Sequence, residues 1–224
     1  MAPVKSSPER RLRGRPQLRS DDETRKIIYE AARHEFVANG FAATSMEGVA
    51  RRAGVSTKTL YRLIPSKPAL FENMVSTGLD RLLSVINLQG ADTVDVEAAL
   101  NAVLMACADV VLDEEVVGLQ RVVLQETSQF SGLAAAFYKK GILRVAAALA
   151  EWLRGQVKRG VIVLDDPDEA AGMLIGMIAS APQRAAIFGG RRLPSPAAIA
   201  ARVRTVSSLF LRGCARKPDH APGG

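Results

Sequence analysis

Three features of the sequence predict an all-α fold. Of its 224 residues, 48% are hydrophobic but only 5% are aromatic, a composition that suits helices. Apolar residues recur at helical spacing along most of the chain, and no segment shows the alternation of a half-buried strand. Capping residues, glycines and prolines separate these segments. We therefore predict a three-helix helix–turn–helix domain, residues 21–75, joined by a shared long helix to a C-terminal helical domain, residues 76–213.

Residues 1–20 and 214–224 contain too few apolar side chains to form a core, and we expect them to be a disordered basic arm and a disordered tail. In the arm, Arg13, Gly14, Arg15 and Pro16 resemble the core of an AT-hook peptide, in which two guanidinium groups enter a narrow A·T-rich minor groove. The alternative is a solubilising tail with non-specific attraction to phosphates.

Positive charge is concentrated in the N-terminal third. The formal net charge is +7, and residues 1–75 contain 14 Lys and Arg against 8 Asp and Glu, a net of +6. A basic domain attached to a nearly neutral one is typical of nucleic-acid-binding proteins. A solvated basic tail would produce the same excess.

The first helix begins with Asp21, Asp22 and Glu23, whose charges favour the positive end of its dipole. Asn39 and Gly40 predict its end. One apolar stripe faces the core between these points and consists of Ile27, Ile28, Ala31, Ala32, Phe36 and Val37.

The segment from Thr44 to Leu70 has the punctuation of a helix–turn–helix. Thr44 and Glu47 have capping-box spacing, so we expect a helix to begin at Thr44 and to end at Gly54, where a left-handed conformation is free of Cβ strain. Ser56 is expected to cap a second helix, in which Leu60 is buried. A third helix is expected after Ser66, with Pro68 in its first turn and Lys67 free for a phosphate.

The second of these helices has hydroxylated, aromatic and cationic side chains that suit phosphates and base edges. We predict DNA contacts from this helix, from the residues before it and from the arm. The predicted contacts are Arg13, Arg15, Thr44, Ser45, Ser56, Thr57, Lys58, Thr59, Tyr61, Arg62 and Lys67.

The region from Thr24 to Leu70 resembles the N-terminal domain of the TetR family of bacterial transcriptional regulators. The sequence departs from the family pattern at Lys58, Leu63, Ile64 and Pro68, where we expect the docking on DNA to differ. The resemblance rests on Ile28, Ala31, Ala32, Phe36, Gly40, Thr44, Ser45, Val49, Ala50, Ala53, Gly54, Val55, Ser56, Thr59, Leu60, Tyr61, Ser66, Lys67 and Leu70.

The remaining helices are predicted at residues 67–86, 96–112, 114–129, 133–158, 167–188 and 196–211. The first is long enough to belong to both domains, and Pro182 is expected to kink the fifth. By resemblance to the family, the last two helices form a homodimer interface, although the apolar seam of the last helix would also suit an intramolecular core. The interface residues predicted in this way are Gly172, Gly176, Ile199, Val203, Val206 and Phe210.

The resemblance also implies a ligand cavity in the C-terminal domain, and we expect a small apolar effector. Side chains of this type are equally typical of a core. The cavity-lining candidates are Met105, Phe130, Phe137, Trp152, Met173 and Met177.

The expected function is that of a cytoplasmic repressor that binds a palindromic double-stranded operator as a homodimer and is released by its effector. The alternatives are a sequence-tolerant architectural DNA-binding protein and a helical ligand-binding protein or enzyme. No phosphate loop, nucleophile elbow or zinc spacing is present, and Cys107 and Cys214 are far apart, so we expect no enzyme activity, cofactor or metal. The longest apolar run, residues 170–181, is shorter than a membrane span.

Overall fold

The computed structural model describes residues 19–77, 82–84 and 95–214. Within these ranges all regular elements are helices, which confirms the predicted all-α fold. The described helices are α1 (Asp21–Ala43), α2 (Met46–Ala53), α3 (Thr57–Leu63), α4 (Lys67–Thr77), α5 (Val96–Val111), α6 (Glu114–Glu126), α7 (Ser131–Phe137), a π-helical segment (Tyr138–Ile142), α8 (Leu143–Lys158), α9 (Pro167–Phe188) and α10 (Pro196–Cys214).

Three of the predictions, the arm, the tail and the helix 67–86, lie partly outside the described residues. The basic arm with Arg13 and Arg15 precedes them, and the tail after residue 214 follows them. The predicted helix 67–86 is seen as α4, and residues 82–84 are also helical.

Several helices begin with a side-chain cap, including one at Ser20 that was not predicted from the sequence and one that was predicted a residue too early, at Thr44. Ser20 and Glu23 form a complete capping box at α1, and the Asp166 side chain accepts hydrogen bonds from the first turn of α9. The prediction that Thr44 caps α2 is wrong, because the Ser45 hydroxyl accepts from Gly48 N. The Thr44 side chain is buried and donates to the carbonyl oxygens of Glu35 and Gly40. The chain therefore turns one residue later than predicted.

The core consists of two clusters. The first joins α1–α4 to buried side chains of α6 and α7, including Leu119, Val123 and Phe137. The second lies between α5, α8, α9 and α10. Helices α1–α4, which we call the head, pack directly on the C-terminal domain, because α4 lies against α7 and α1 runs along α6.

The predicted helix 133–158 contains a π-helical turn at Tyr138–Ile142. Gly141 of this turn lies against α4, and a Cβ added there would approach a methyl group of Val75 to 3.1 Å. The sequence predicts one continuous helix over residues 133–158 and does not indicate this turn, which adds one residue to the helix.

Helix α9 is long and apolar enough for a membrane span, with a mean hydropathy of 1.2 over 18 residues. It packs against α8, α5, α6 and α10, and core helices of soluble proteins commonly have the same length and composition. It also continues through Pro182, which is buried.

Candidate nucleic-acid interface and effector cavity

The turn between α2 and α3 has the geometry that the sequence predicts. Gly54 adopts a left-handed conformation with φ +65°, and its N–H donates to carbonyls of the last turn of α2. The Ser56 hydroxyl then accepts from Thr59 N and caps α3. Leu60 anchors α3 because its side chain is fully buried. The opposite face of α3 is thereby turned to solvent.

The exposed face of α3 presents Thr57, Lys58 and Tyr61, and the Tyr61 side chain is 45% exposed. The hydroxyls of Ser56 and Thr59 share a hydrogen bond of 2.8 Å, so they are partly engaged within the turn. These side chains form a small exposed surface with one cation, one phenol and one hydroxyl. Such groups can bind phosphates and base edges.

Arg62, another predicted DNA contact, forms a two-pronged ion pair with Asp21 at 2.7 and 2.8 Å. The hydrogen bond from Arg62 holds the pKa of Asp21 below its usual range. Arg62 therefore ties α3 to the start of α1, and a phosphate would have to compete with Asp21 for it.

The departures at Leu63 and Ile64 lie inside the protein. Both side chains are buried in the head core, and Arg25 of α1 donates to the Leu63 carbonyl oxygen at 2.9 Å. They therefore change the packing of the head and not its outer surface.

Lys67 is not free for a phosphate. Its Nζ donates to the carbonyl oxygens of Phe41, Ala42 and Thr44 at 2.7–3.1 Å, and it lies 4.7 Å from the centre of the Phe41 ring. Burial lowers the pKa of Lys67, and the charge of Glu126 opposes this shift. Lys67 thus satisfies the exposed carbonyls where α1 ends.

Glu126, at the end of α6, binds the same turn from the other side. Its two carboxylate oxygens accept from Phe41 N and Ala42 N at 2.7 and 2.8 Å. This approach requires Gly40, whose φ is +79° and whose added Cβ would lie 2.6 Å from Glu126 Oε1. Glycine ends the regular part of α1 as predicted, and it also provides the space for an ionic contact between the two domains.

A cavity of about 400 Å³ lies between the head and the C-terminal domain. Met74 and Val75 of α4 form part of its wall, and most of the rest is apolar. The other apolar lining residues are Leu82, Ala102, Met105, Ala106, Val110, Val111, Val116, Leu119, Phe137, Gly141, Ile142, Val145, Ile175 and Ala179.

Two of the six predicted cavity residues, Met105 and Phe137, line this cavity. Phe130 instead lines a separate hollow of about 250 Å³ beside Phe41 and Phe71. The prediction is wrong for Trp152, which is buried in the second core cluster away from the cavity wall.

The prediction is also wrong for Met173 and Met177, which are exposed on the outer face of α9. Both the inner and the outer face of α9 contain apolar residues at helical spacing. The sequence therefore does not show on which face other helices pack.

Five polar side chains on the cavity wall were not foreseen from the sequence. They come from four separate segments, so no local motif identifies them. They are Arg33, Asp109, Asp113, Gln120 and Gln183. The cavity is therefore mainly apolar but contains charged groups, which the expectation of an apolar effector did not include.

The predicted dimer seam on α10 is largely intramolecular. Val203 and Val206 are buried in the second core cluster, and Ile199 and Phe210 pack against it. In contrast, Gly172 and Gly176 lie on the same outer face of α9 as the two exposed methionines, and an added Cβ at Gly172 would meet no atom within 4 Å.

The outer surface of these last two helices has further large apolar side chains. Met173, Phe188 and Leu209 are 58%, 78% and 60% exposed. Large apolar side chains exposed in this way are typical of an interface between subunits.

Among residues 19–77, 82–84 and 95–214, no three His, Cys, Asp or Glu side chains are grouped so that they could hold a metal ion. Cys107 is buried, and burial raises its pKa to about 12. A thiol with such a pKa remains protonated and unreactive at neutral pH.

Comparison with known families and structures accounts for both parts of the chain. Residues 28–74 match the family described as "Bacterial regulatory proteins, tetR family", and residues 98–214 match "AefR-like transcriptional repressor, C-terminal domain". A solved TetR-family transcriptional regulator from Mesorhizobium loti MAFF303099 superimposes with a TM-score of 0.76 and 29% identity, over 88% of this chain and 98% of that one. The flavonoid-responsive regulator FrrA gives a TM-score of 0.62 and 26% identity, over 88% and 100%.

Curated relatives match over shorter segments. The HTH-type transcriptional regulator YdeS of Bacillus subtilis (strain 168) is 38% identical over 71 residues, which are 31% of this chain and 34% of YdeS. The HTH-type transcriptional activator FasR of Mycolicibacterium smegmatis (strain ATCC 700084 / mc(2)155) is 34% identical over 88 residues, 39% of this chain and 40% of FasR. The match thus spans between a third and two fifths of these relatives. The chain belongs to the TetR family and is a DNA-binding transcriptional regulator.

Proposed function

We propose that the protein is a cytoplasmic homodimeric repressor that binds a palindromic operator and is released when a small molecule occupies the cavity between head and C-terminal domain. The observation that carries this proposal is the composition of the cavity wall. Arg33, Met74 and Val75 come from the head, whereas Met105 and Phe137 come from the C-terminal domain. A ligand there contacts both parts, so its binding free energy can depend on how the head is placed.

The DNA-reading surface in this proposal is the exposed face of α3. Lys58 and Tyr61 are solvent-facing, and neither belongs to the ion pairs that hold the head together. Thr57 precedes them at the N-terminus of the helix, where backbone N–H groups suit a phosphate. We expect Arg13 and Arg15 of the arm to add minor-groove contacts.

The homodimer forms through the outer faces of α9 and α10. Gly172 and Gly176 allow close approach of a partner helix, and Met177 and Leu209 supply apolar surface that water otherwise covers. A two-fold dimer of this kind presents two copies of α3 to DNA. The two half-sites should then be about 34–36 Å apart, one turn of the double helix.

Release requires only a modest coupling. In one arrangement of the dimer the two heads fit the two half-sites, and in another they do not. A ligand that binds the second arrangement more tightly by about 1–3 kcal/mol changes operator occupancy appreciably. We expect the effector to have an apolar body, because most of the cavity wall is apolar.

The test is gel-shift binding to fragments of the host genome at two salt concentrations. We expect a few fragments to bind about a thousandfold more tightly than the rest, since regulators need such a ratio. Uniform binding with the same salt dependence for every fragment would instead indicate an architectural protein. Absence of DNA binding would leave only a ligand-binding protein.

Lys58→Ala tests the assignment of the reading surface, with Lys158→Ala as the control because Lys158 is an exposed lysine of the C-terminal domain. Lys58→Ala should change the preferred sequence if the ammonium group reaches a base, at about 1–3 kcal/mol for that contact. An unchanged preference with uniformly weaker binding would confine Lys58 to the phosphate backbone.

A further inference from the structure

We infer that the cavity ligand is an amphipathic acid whose carboxylate pairs with Arg33 and displaces Glu115 from it. The inference rests on the proposed function, in which this cavity binds the effector. It adds the chemical class of the ligand and the residue pair through which the ligand loosens the head.

Arg33 is the strongest anchor on the cavity wall. It belongs to α1 of the head, and its Nη1 donates to Glu115 Oε2 at 3.0 Å in the first turn of α6. Its Nε is buried and has no hydrogen-bond partner. An arginine N–H that is buried without an acceptor is costly, so the guanidinium gains when a better acceptor enters.

Among the other polar side chains on the wall, only the amides of Gln120 and Gln183 carry N–H donors, and neither is charged. Asp113 caps α6, because one of its carboxylate oxygens accepts from Glu115 N and Val116 N. The Gln183 amide donates to the Val111 carbonyl oxygen at 2.7 Å. Asp109 is exposed and can only accept when ionised. The chemistry of the wall therefore favours a ligand that brings an acceptor to Arg33.

A carboxylate is the acceptor that best matches a guanidinium, because its two oxygens can accept two parallel N–H bonds. Glu115 provides only one such bond in the structure, and its side chain is 34% exposed. When the ligand takes Arg33, Glu115 remains hydrated and close to His34, whose Nε2 lies 3.5 Å from Glu115 Oε1. The exchange therefore leaves no charge buried without a partner.

The exchange weakens the contact between α1 and α6 at the start of α6, where the longer His34–Glu115 contact then remains. The Arg33–Glu115 pair joins them at the start of α6, and Glu126 binds the α1 turn at the end of α6. Between these points Val37 packs against Gly118, where an added Cβ would lie 3.0 Å from a Val37 methyl group. Weakening of the first contact lets the head pivot about the second, which would change the separation of the two α3 helices of a dimer.

The test uses the full-length protein and three probes of equal chain length: decanoate, decan-1-ol and decan-1-amine. In isothermal titration calorimetry decanoate should bind about tenfold to a hundredfold more tightly than decanol, and the amine most weakly, because a hydrogen bond to a charged partner is worth that much. Arg33→Gln should remove the advantage of decanoate over decanol. The control Arg192→Gln, in the exposed segment before α10, should leave it unchanged.

Glu115→Gln provides the decisive comparison, because it removes the competitor and leaves Arg33 in place. Decanoate should bind this variant several-fold more tightly than wild type, whereas Arg33→Gln binds it more weakly. A merely structural ion pair would make both variants change in the same direction, which would overturn the inference. Arg33→Lys keeps the charge and should retain part of the decanoate preference if Arg33→Gln folds poorly.

Equal binding of decanoate and decanol, or no binding of decanoate by the wild type, would also overturn the inference. Gel-shift binding without any probe separates this failure from failure of the proposed function. If the protein binds some DNA fragments preferentially but does not bind decanoate more tightly than decanol, only the inference of an amphipathic acid is rejected. Acid binding through Arg33 without any preferred fragment would reject the regulator and retain the ligand site.

Discussion

Gly40→Ala should weaken the junction between the head and the C-terminal domain more than any ordinary glycine substitution. Gly40 has φ +79° and ψ 170°, a region that is essentially restricted to glycine. In addition, the new Cβ would lie 2.6 Å from Glu126 Oε1, so the carboxylate must leave its position. Two backbone N–H groups, those of Phe41 and Ala42, would then lose their acceptor.

The expected loss follows from these two effects. The backbone strain is worth about 1–3 kcal/mol. The displaced carboxylate removes about 1.5–3 kcal/mol for a charge-assisted hydrogen bond, counted once because the second bond is exposed. Gly40→Ala should therefore lower the free energy of unfolding by about 2.5–6 kcal/mol, a large part of the roughly 5–15 kcal/mol of a typical protein.

The measurement is urea unfolding at one fixed protein concentration, in wild-type and Glu126→Ala backgrounds. In the second background only the strain remains, so Gly40→Ala should cost about 1–3 kcal/mol there. Gly132→Ala is the control, since Gly132 lies in α7 with no atom within 4 Å of an added Cβ, and it should leave stability unchanged or raise it by up to about 1 kcal/mol. Equal costs of Gly40→Ala in both backgrounds would refute the steric role of Glu126.

Three further predictions concern other contacts. Lys67→Ala should lower the free energy of unfolding by about 1.5–3 kcal/mol, because three carbonyl oxygens lose their donor. An unchanged melting temperature together with uniformly weaker DNA binding would instead indicate that Lys67 binds a phosphate. Leu209 is exposed, so the Leu209→Asp protein should stay folded and sediment as a monomer in sedimentation velocity. Val203 is buried, so the Val203→Asp protein should be unfolded, as measured by circular dichroism. A Leu209→Asp protein that remains dimeric would contradict the proposed interface. The hydrogen bond from Arg52 holds the pKa of Glu35 below 4.5, so its stabilisation is present above pH 4.5 and is lost as pH falls through the folded pKa. In the Glu35→Gln variant the free energy of unfolding, measured with urea at several pH values, should therefore fall less steeply as the pH is lowered. An unchanged pH dependence would show that Glu35 does not contribute to the loss of stability in acid.

The helix–turn–helix could be read from the sequence because its signals are local. Gly54 closes α2 and Ser56 caps α3 through bonds that span only a few residues. The capping error at Thr44 arose where two hydroxyl residues are adjacent. Either could start a helix, and the buried bonds of Thr44 to the end of α1 decided the choice.

The sequence could not show which basic side chains are free to bind DNA and which are bound to other parts of the protein. Arg62 and Asp21 are 41 residues apart, and Lys67 binds carbonyls 23–26 residues before it. A basic residue near a recognition helix looks the same in sequence whether it faces phosphate or holds two helices together. The packing of α1 against α3 and α4 separated the two roles.

The sequence by itself determined the helical fold and the helix–turn–helix, because periodicity, capping and turn chemistry act within one or two helical turns. Only the tertiary structure decided which faces of α9 and α10 are covered, and thus that Val203 belongs to the core while Met177 faces outward. It also brought Arg33 to the cavity and to Glu115, 82 residues away. In the sequence, an apolar stripe looks the same whether it is buried or exposed, and an arginine looks the same whether it is paired or free. Only contacts between residues distant in sequence decide between these possibilities.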